Sequence, residues 1–279
     1  MKYPLEFTKA SGAGNDFVII DDMSGVLQID KSRLAVALCS RHFGIGADGL
    51  LVIERSNRAD FVMSYYNADG SYGGMCANGG RCAARFAFVK HIAGPEPSFE
   101  ALDHIYRAEV TDDTVRLHMK DPTGLRTNIR LQFGNTLFVG TAINTGSPHV
   151  VFLSDDIQSL DVARFGPLIR YSKEFAPDGT NVNFARRTAD NEIELRTYER
   201  GVEAETLACG TGSVASALVS HLLHGINSPI MVRVQSGEIL RVHFNHVDNT
   251  LTKIMLEGSA HILFNGQVEY DSTSNSISR

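Results

Sequence analysis

The chain has 279 residues, 43% of them hydrophobic and 21% charged, with a formal net charge of −6. That is the composition of a globular protein with apolar material for two cores of roughly 130 residues each. It excludes a nucleic-acid surface built on a basic stripe, and no run approaches the roughly 20 apolar residues that span a bilayer.

Residues 1–7 mix Lys2, Pro4 and Glu6 with apolar residues and lack the apolar stretch of a secretory signal, so a cytoplasmic protein is expected. In chain order, β-branched and aromatic runs predict strands at 5–9, 17–21, 50–54, 61–66, 105–110, 114–119, 137–143, 149–153, 193–198, 230–235, 238–244 and 251–257. Helices are predicted at 31–43, 79–92, 158–170 and 210–224. The first follows Asp30 as N-cap and puts Leu34, Ala35, Leu38 and Cys39 on one face. From Ser272 the chain turns polar and is expected to fray. Many strands and few helices make an α+β fold.

An internal repeat organises these elements. The segment that starts at Gly14 and runs Gly-Asn-Asp-Phe-Val-Ile is echoed from Gly146 by Gly-Ser-Pro-His-Val-Val, 132 residues on. Tyr66-Asn67 is echoed by Tyr198-Glu199 at the same spacing of 132, and Cys76-Ala77-Asn78-Gly79 by Cys209-Gly210-Thr211-Gly212 at 133. Each Cys motif opens an Ala-rich helical stretch. The repeat predicts two pseudo-symmetric lobes, residues 1–124 with 261–279 carrying Cys76 and residues 125–260 carrying Cys209. If the lobes face each other, the two Cys motifs meet across one cleft.

Two facing thiols suit one class of reaction. Inverting a carbon centre requires a base on one face and an acid on the other, which exchange roles for the reverse direction. A thiol at a helix N-terminus sits where the helix dipole and unpaired N–H groups favour the thiolate. The same N–H groups can hold a substrate carboxylate and the charge that develops as an α-proton leaves. Cys39 and Cys82, the other two cysteines, fit core positions. No Cys-x-x-Cys pair suggests a metal site, and the glycines at 44–49 lack the Lys-Ser/Thr of a phosphate loop.

The segments Gly12-Ala13-Gly14-Asn15-Asp16-Phe17, Gly44-Ile45-Gly46-Ala47-Asp48-Gly49 and Tyr66-Asn67-Ala68-Asp69-Gly70-Ser71 come first in the chain. They are followed by Met75-Cys76-Ala77-Asn78-Gly79-Gly80-Arg81-Cys82, Tyr198-Glu199-Arg200-Gly201 and Ala208-Cys209-Gly210-Thr211-Gly212. In this order, over nearly the whole chain, they resemble the signature segments of diaminopimelate epimerases. The resemblance implies an isomerase that interconverts LL- and meso-diaminopimelate without pyridoxal or any other cofactor or metal, on the path to lysine and peptidoglycan. It implies a fold of two similar lobes, each a curved mixed sheet around a central helix, and a homodimer acting on a small amino acid. Cys76 and Cys209 match the two catalytic thiols, and His149 and Glu199 match the positions that tune them. Asn15, Asn67, Ala77, Asn78, Ser147, Asn181, Glu199, Arg200, Gly210 and Thr211 match positions that hold the substrate's charged ends.

Three residues depart from the family pattern. Ala77 replaces a glycine and would resist a positive φ there. Ser147 replaces an asparagine, whose longer side chain would reach further toward a ligand. Gly49 stands where some members have glutamine. These departures leave open a racemase of the same architecture acting on histidine or proline, and a binding protein that keeps the cleft without the reaction. Single residues also have second readings at this level. His149 fits a hydrogen-bonded histidine at a strand start, Glu199-Arg200 a surface ion pair, and Asn15 and Asn67 ordinary turn residues.

Overall fold

The computed structural model describes residues 2–278. Met1 and Arg279, which fall in the expected first lobe and its polar tail, lie outside the described residues. The first elements are β1 (Lys2–Gly12), β2 (Asn15–Asp22), α1 (Lys31–Cys39), β3 (Gly49–Glu54), β4 (Phe61–Asn67), α2 (Ala77–Val89), β5 (Ser98–Ala101), β6 (His104–Val110) and β7 (Thr114–His118). Next come β8 (Thr123–Phe133), β9 (Thr136–Asn144), β10 (Pro148–Leu153), α3 (Val162–Arg170), β11 (Asn181–Ala189), β12 (Glu192–Glu199), β13 (Ala204–Thr206) and α4 (Gly210–His224). The chain ends with β14 (Ile230–Arg233), β15 (Ile239–Val247), β16 (Thr250–Ser259), β17 (His261–Asp271) and β18 (Ser276–Ser278). Among the described residues no helix is long and apolar enough to cross a membrane.

The chain divides into two compact units, residues 1–117 with 258–279, and residues 118–257. Both follow one plan. In the first, β2 pairs antiparallel with β1 and parallel with β3, β3 pairs antiparallel with β4, and β4 pairs parallel with β5. In the second, β10 pairs antiparallel with β9 and parallel with β11, β11 antiparallel with β12, and β12 parallel with β14. The register repeats as well. Phe17 lies opposite Gly49 and Gly49 opposite Asn67. In the second unit His149 lies opposite Asn181, and the next pair along, Val182 with Tyr198, puts Asn181 level with Glu199. Phe17 and His149, Gly49 and Asn181, and Asn67 and Glu199 are therefore structural counterparts.

A central helix fills each unit. α2 packs against β1, β2, β3, β4, β6 and β17, and α4 against β9, β10, β11, β12, β14 and β15. Residues 77–87 of α2 are all buried, as are Gly210 and residues 212–220 of α4. Their small side chains, Ala83, Ala84 and Ala87 in one and Ser213, Ala215, Ser216 and Ala217 in the other, let the sheet close around them.

The helix predictions are right in kind and shift at their ends. α1 stops at Cys39 instead of running to Phe43, because residues 40–46 fold back to cap it. Ile45 N and Gly46 N donate to Leu38 O, and a Cβ on Gly44 would stand 2.4 Å from Ala37 O. α2 starts two residues earlier than predicted, at Ala77, because Cys76 is its N-cap. α3 starts only at Val162, where the Asp161 carboxylate accepts from Arg164 N; residues 158 and 159 belong to a turn on Asp156.

Six strands escaped the sequence reading: β5, β8, β11, β13, β17 and β18. β8 is exposed along most of its length and β17 over most of its first seven residues, so both lack apolar alternation. The tail expected to fray instead turns at Asn275 (φ +52°) and pairs back on β17, Tyr270 opposite Ile277. Ile277 packs on the core cluster that holds Tyr270 and Val268, which anchors the strand.

Candidate active site

Each candidate cysteine stands at the start of its unit's central helix. Cys76 is the N-cap of α2, extended at φ −114° and ψ 122°, and its sulfur accepts from Gly79 N at 3.4 Å. Cys209 is the N-cap of α4 at φ −120° and ψ 112°. Its sulfur lies 3.6 Å from Thr211 Oγ1, and its carbonyl accepts from Ser213 N and Oγ. Gly212 lets the Cys209 sulfur sit close, since a Cβ there would stand 3.2 Å from Sγ, whereas a Cβ on Gly79 would be in ordinary contact with Cys76 Cβ at 3.5 Å. The loop glycines Gly14 (φ +95°) and Gly146 (φ +109°) both need the conformation that glycine alone adopts freely. Cys39 and Cys82 are buried in the cores, and burial pushes the Cys39 thiol up to about 12, which keeps it protonated.

Ala77 causes no backbone strain. It is the first residue of α2, outside the positive-φ set, so the concern that alanine would resist this position does not arise. Gly210 occupies the same place in α4 and also lies outside that set.

Beside Cys76 in the first unit, Asn78 and Asn15 form a linked pair. Asn78 Nδ2 donates to Asn15 Oδ1 at 2.7 Å, and Asn15 Nδ2 donates to Asp48 Oδ2 at 2.9 Å. Arg81, wholly buried, holds Asn78 Oδ1 at 2.9 Å. Arg41 bridges Asp48 and Asp16 at 2.7 and 2.9 Å, and Lys9 meets Asp16 at 2.7 Å. Burial opposes the charge of Asp16, but hydrogen bonds from Arg41 and Lys9 outweigh it and hold the carboxyl below its usual range. Asn15 is thus aimed by fixed charges, beyond the turn role open to it in the sequence.

Asn67 ends β4 and opens a turn in which its carbonyl accepts from Gly70 N. Its N–H and Nδ2 bond to Ser71, and its Oδ1 accepts from Tyr65 Oη at 2.7 Å. Tyr65 explains the departure at position 49. A Cβ on Gly49 would stand 2.5 Å from the Tyr65 ring and 2.6 Å from Tyr66 O, and one on Gly73 would stand 2.3 Å from the same ring. The phenol thus fills the space that a side chain at 49 would occupy. Gly49→Gln is expected to cost about 1–3 kcal/mol of stability by overpacking and to free Asn67 from Tyr65. Denaturant titration checks this, and unchanged stability would mean that Tyr65 swings aside freely.

The second unit gathers a denser polar group. His149 Nε2 lies 2.9 Å from both Ser147 Oγ and Thr211 Oγ1, and these two hydroxyls are 3.2 Å apart. Asn181 Nδ2 donates to Pro148 O at 2.9 Å and to Ser147 Oγ at 3.3 Å, and Asn181 Oδ1 accepts from Arg200 N at 2.8 Å. Thr145 Oγ1 donates to Thr211 O at 2.9 Å, which ties the start of α4 to β9 and β10. Ser147 is therefore part of the His149 network. Burial, with Arg200 nearby, lowers His149 to about 3, so the imidazole is neutral.

Glu199 does not pair with its neighbour Arg200. Its carboxylate accepts from Thr206 Oγ1 at 3.0 Å. Burial pushes its carboxyl pKa up, partly offset by Thr206 and by the neighbouring Cys209 thiol. Arg200 Nη1 instead reaches Asp178 O at 3.4 Å. Sequence reading missed Asn183 and Tyr65. Asn183 carried one signal: it falls two residues after Asn181 in a buried stretch, on the same face of β11.

The chain matches the sequence model of the diaminopimelate epimerase family over residues 7–123 and 141–263. It is 46% identical over 265 residues to a diaminopimelate epimerase of Chlorobaculum tepidum, covering 92% of this chain and 99% of that protein. The chain belongs to the diaminopimelate epimerase family. A second family member, from Aquifex aeolicus, is 39% identical over 276 residues, covering 95% of this chain and 98% of its own. Among solved structures, a phenazine biosynthesis protein of Bacillus anthracis superposes with a TM-score of 0.75 at 13% identity, over 95% of this chain and 99% of that one. A hydroxyproline epimerase of Agrobacterium vitis superposes with a TM-score of 0.70 at 16% identity, over 97% of this chain and 94% of its own. At such identities the likeness is one of fold, the duplicated two-unit fold that the family model also spans in two blocks.

Proposed function

We propose that this chain interconverts LL- and meso-diaminopimelate by a two-thiol 1,1-proton transfer that needs no cofactor. One of Cys76 and Cys209, as thiolate, removes the α-proton; the other, as thiol, delivers a proton to the opposite face of the same carbon. The observation that carries this reading is that the two cysteines stand at the N-caps of the two central helices in a chain of this family. The helix-end N–H groups stabilise a thiolate and the negative charge that grows on the substrate carboxylate as the proton leaves.

In this reading Asn15, Asn67, Ala77, Asn78, Ser147, Asn181, Glu199, Arg200, Gly210 and Thr211 bind the charged ends of the substrate, Ala77 and Gly210 through their backbone N–H groups. Glu199, a neighbour of the Cys209 thiol, takes its proton. His149 tunes the same thiol through Thr211. The protein works as a cytoplasmic homodimer in lysine and peptidoglycan precursor synthesis. Incubation with LL-diaminopimelate in deuterated water is expected to give the meso isomer with deuterium on the inverted carbon. No exchange from either isomer would reject the proposal.

A further inference from the structure

The two halves differ beneath their cysteines. By register, His149 is the counterpart of Phe17, and Asn183, two residues beyond Asn181, is the counterpart of Leu51. In the first unit, a Cβ on Gly79 would meet Leu51 Cδ2 at 3.3 Å and Phe17 Cε1 at 3.6 Å, so hydrocarbon underlies the start of α2. In the second, a Cβ on Gly212 would meet Asn183 Oδ1 at 2.5 Å, so an amide underlies the start of α4. Asn183 is fully buried and His149 nearly so. Burying polar groups costs desolvation that a Phe–Leu pair avoids. Since the same fold closes over Phe17 and Leu51, folding does not require the polar pair.

Asn183 has only one orientation available. Its Nδ2 donates to Val150 O at 3.0 Å, and a carbonyl can only accept. Its Oδ1 accepts from Thr197 Oγ1 at 3.1 Å. The same Nδ2 lies 3.1 Å from His149 Nδ1, which must therefore be the acceptor, with the ring proton on Nε2. Nε2–H then donates toward Ser147 and Thr211, whose oxygens each lie 2.9 Å away. With its oxygen engaged as acceptor, Thr211 turns its own hydrogen to Cys209 Sγ, 3.6 Å away. With the proton on Nδ1 the sense would reverse: Nε2 would take a hydroxyl hydrogen, and the sulfur would face lone pairs.

We propose that Asn183 is a positioning residue for the epimerase reaction, which fixes His149 as the Nε2–H tautomer and so makes Thr211 a hydrogen-bond donor to the Cys209 thiolate. His149 is then an orienting donor and does not accept the proton of Cys209. The inference rests on the epimerase reading for its kinetic part only.

The test joins spectroscopy to kinetics. In the full-length protein labelled with 15N-histidine, a His149→Gln variant identifies the His149 signals. The native spectrum is expected to show a protonated Nε2 and a bare Nδ1, and the reverse pattern overturns the inference. In Asn183→Asp the carboxylate accepts from Nδ1–H, so the proton is expected to move to Nδ1. The kcat should fall roughly 10- to 100-fold with KM within about twofold, the scale typical of a lost orienting partner. A moved proton with kcat intact overturns the proposal, as does a lost kcat with the proton unmoved. Asn183→Leu, which installs the residue found at 51, is the second variant should the aspartate not fold. It is expected to give a mixture of tautomers and a fall in kcat, and a single Nε2–H form overturns the proposal. A native protein that turns over no diaminopimelate would fail the epimerase reading, while the native spectrum would still decide the tautomer.

Discussion

Replacing either helix-capping thiol by a hydroxyl, Cys76→Ser or Cys209→Ser, is expected to lower inversion of diaminopimelate by about 10³-fold or more, the scale of a lost general acid or base. A serine hydroxyl is neither acidic enough to be the base nor a comparable proton donor at neutral pH. The helices should survive, because serine is itself a favoured N-cap. The informative result is what remains. Each variant keeps one thiol, which can still remove a proton, exchange it with solvent and return it to the same face. Deuterium is therefore expected to enter without inversion, from one stereoisomer in Cys76→Ser and from the other in Cys209→Ser. The double variant should lose the exchange as well, while its inversion falls little below that of either single change, since the two groups act as a unit in inversion. Chiral chromatography with mass spectrometry reads both outcomes. Inversion within tenfold of the parent in either single variant would remove the two-thiol mechanism.

The parts of this site that show in the sequence are those set by a few neighbouring residues. α4 runs over Gly210–His224 as read, because Cys209 caps one end and Gly225, at φ +67°, stops the other. The glycines at 14 and 146 are visible for the same reason, since backbone there needs glycine, and the two Cys motifs because they repeat. What stayed hidden depends on which strands lie side by side. Nothing near Gly49 in the chain announces that its missing side chain makes room for Tyr65, a contact that exists only because β3 pairs with β4. The pairing of His149 with Asn183 needs β10 beside β11, with a helix between them in the chain. β17 and β18 were missed because they present much polar, exposed surface and are held by partners distant in sequence or by one half-buried isoleucine. Glu199 is the sharpest case. Its neighbour Arg200 left an ion pair open as a second reading, whereas β12 ends at Glu199 and the turn that follows sends the two side chains to different partners, Thr206 for one and Asp178 for the other.

The histidine of this network is expected to make the protein sensitive to mild acid. His149 is held near 3 when folded, first by burial and then by Arg200, against an ordinary value of 6.5. Its folded pKa is depressed, so the unfolded chain takes up the proton first. The contribution to stability is complete above about 6.5 and is lost progressively as pH falls from there toward about 3. Within that window the slope is about 1.4 kcal/mol per pH unit, or about 2 kcal/mol between pH 6.5 and pH 5. Other groups titrate over the same range, so the measurement is a difference: denaturant titrations of the native protein and of His149→Gln at several pH values. The native protein is expected to lose stability more steeply by that amount, while the variant, though less stable at pH 7, should close the gap as the solution is acidified. Parallel curves would mean that His149 takes a proton in the folded state at an ordinary pKa. An imidazolium there would donate from both nitrogens, and the Asn183 amide, which also offers only N–H toward Nδ1, would be left facing a second donor. The pH curve thus tests the same bond that orients the ring: if Nδ1 is an acceptor, acid has to unfold its surroundings before it can be protonated.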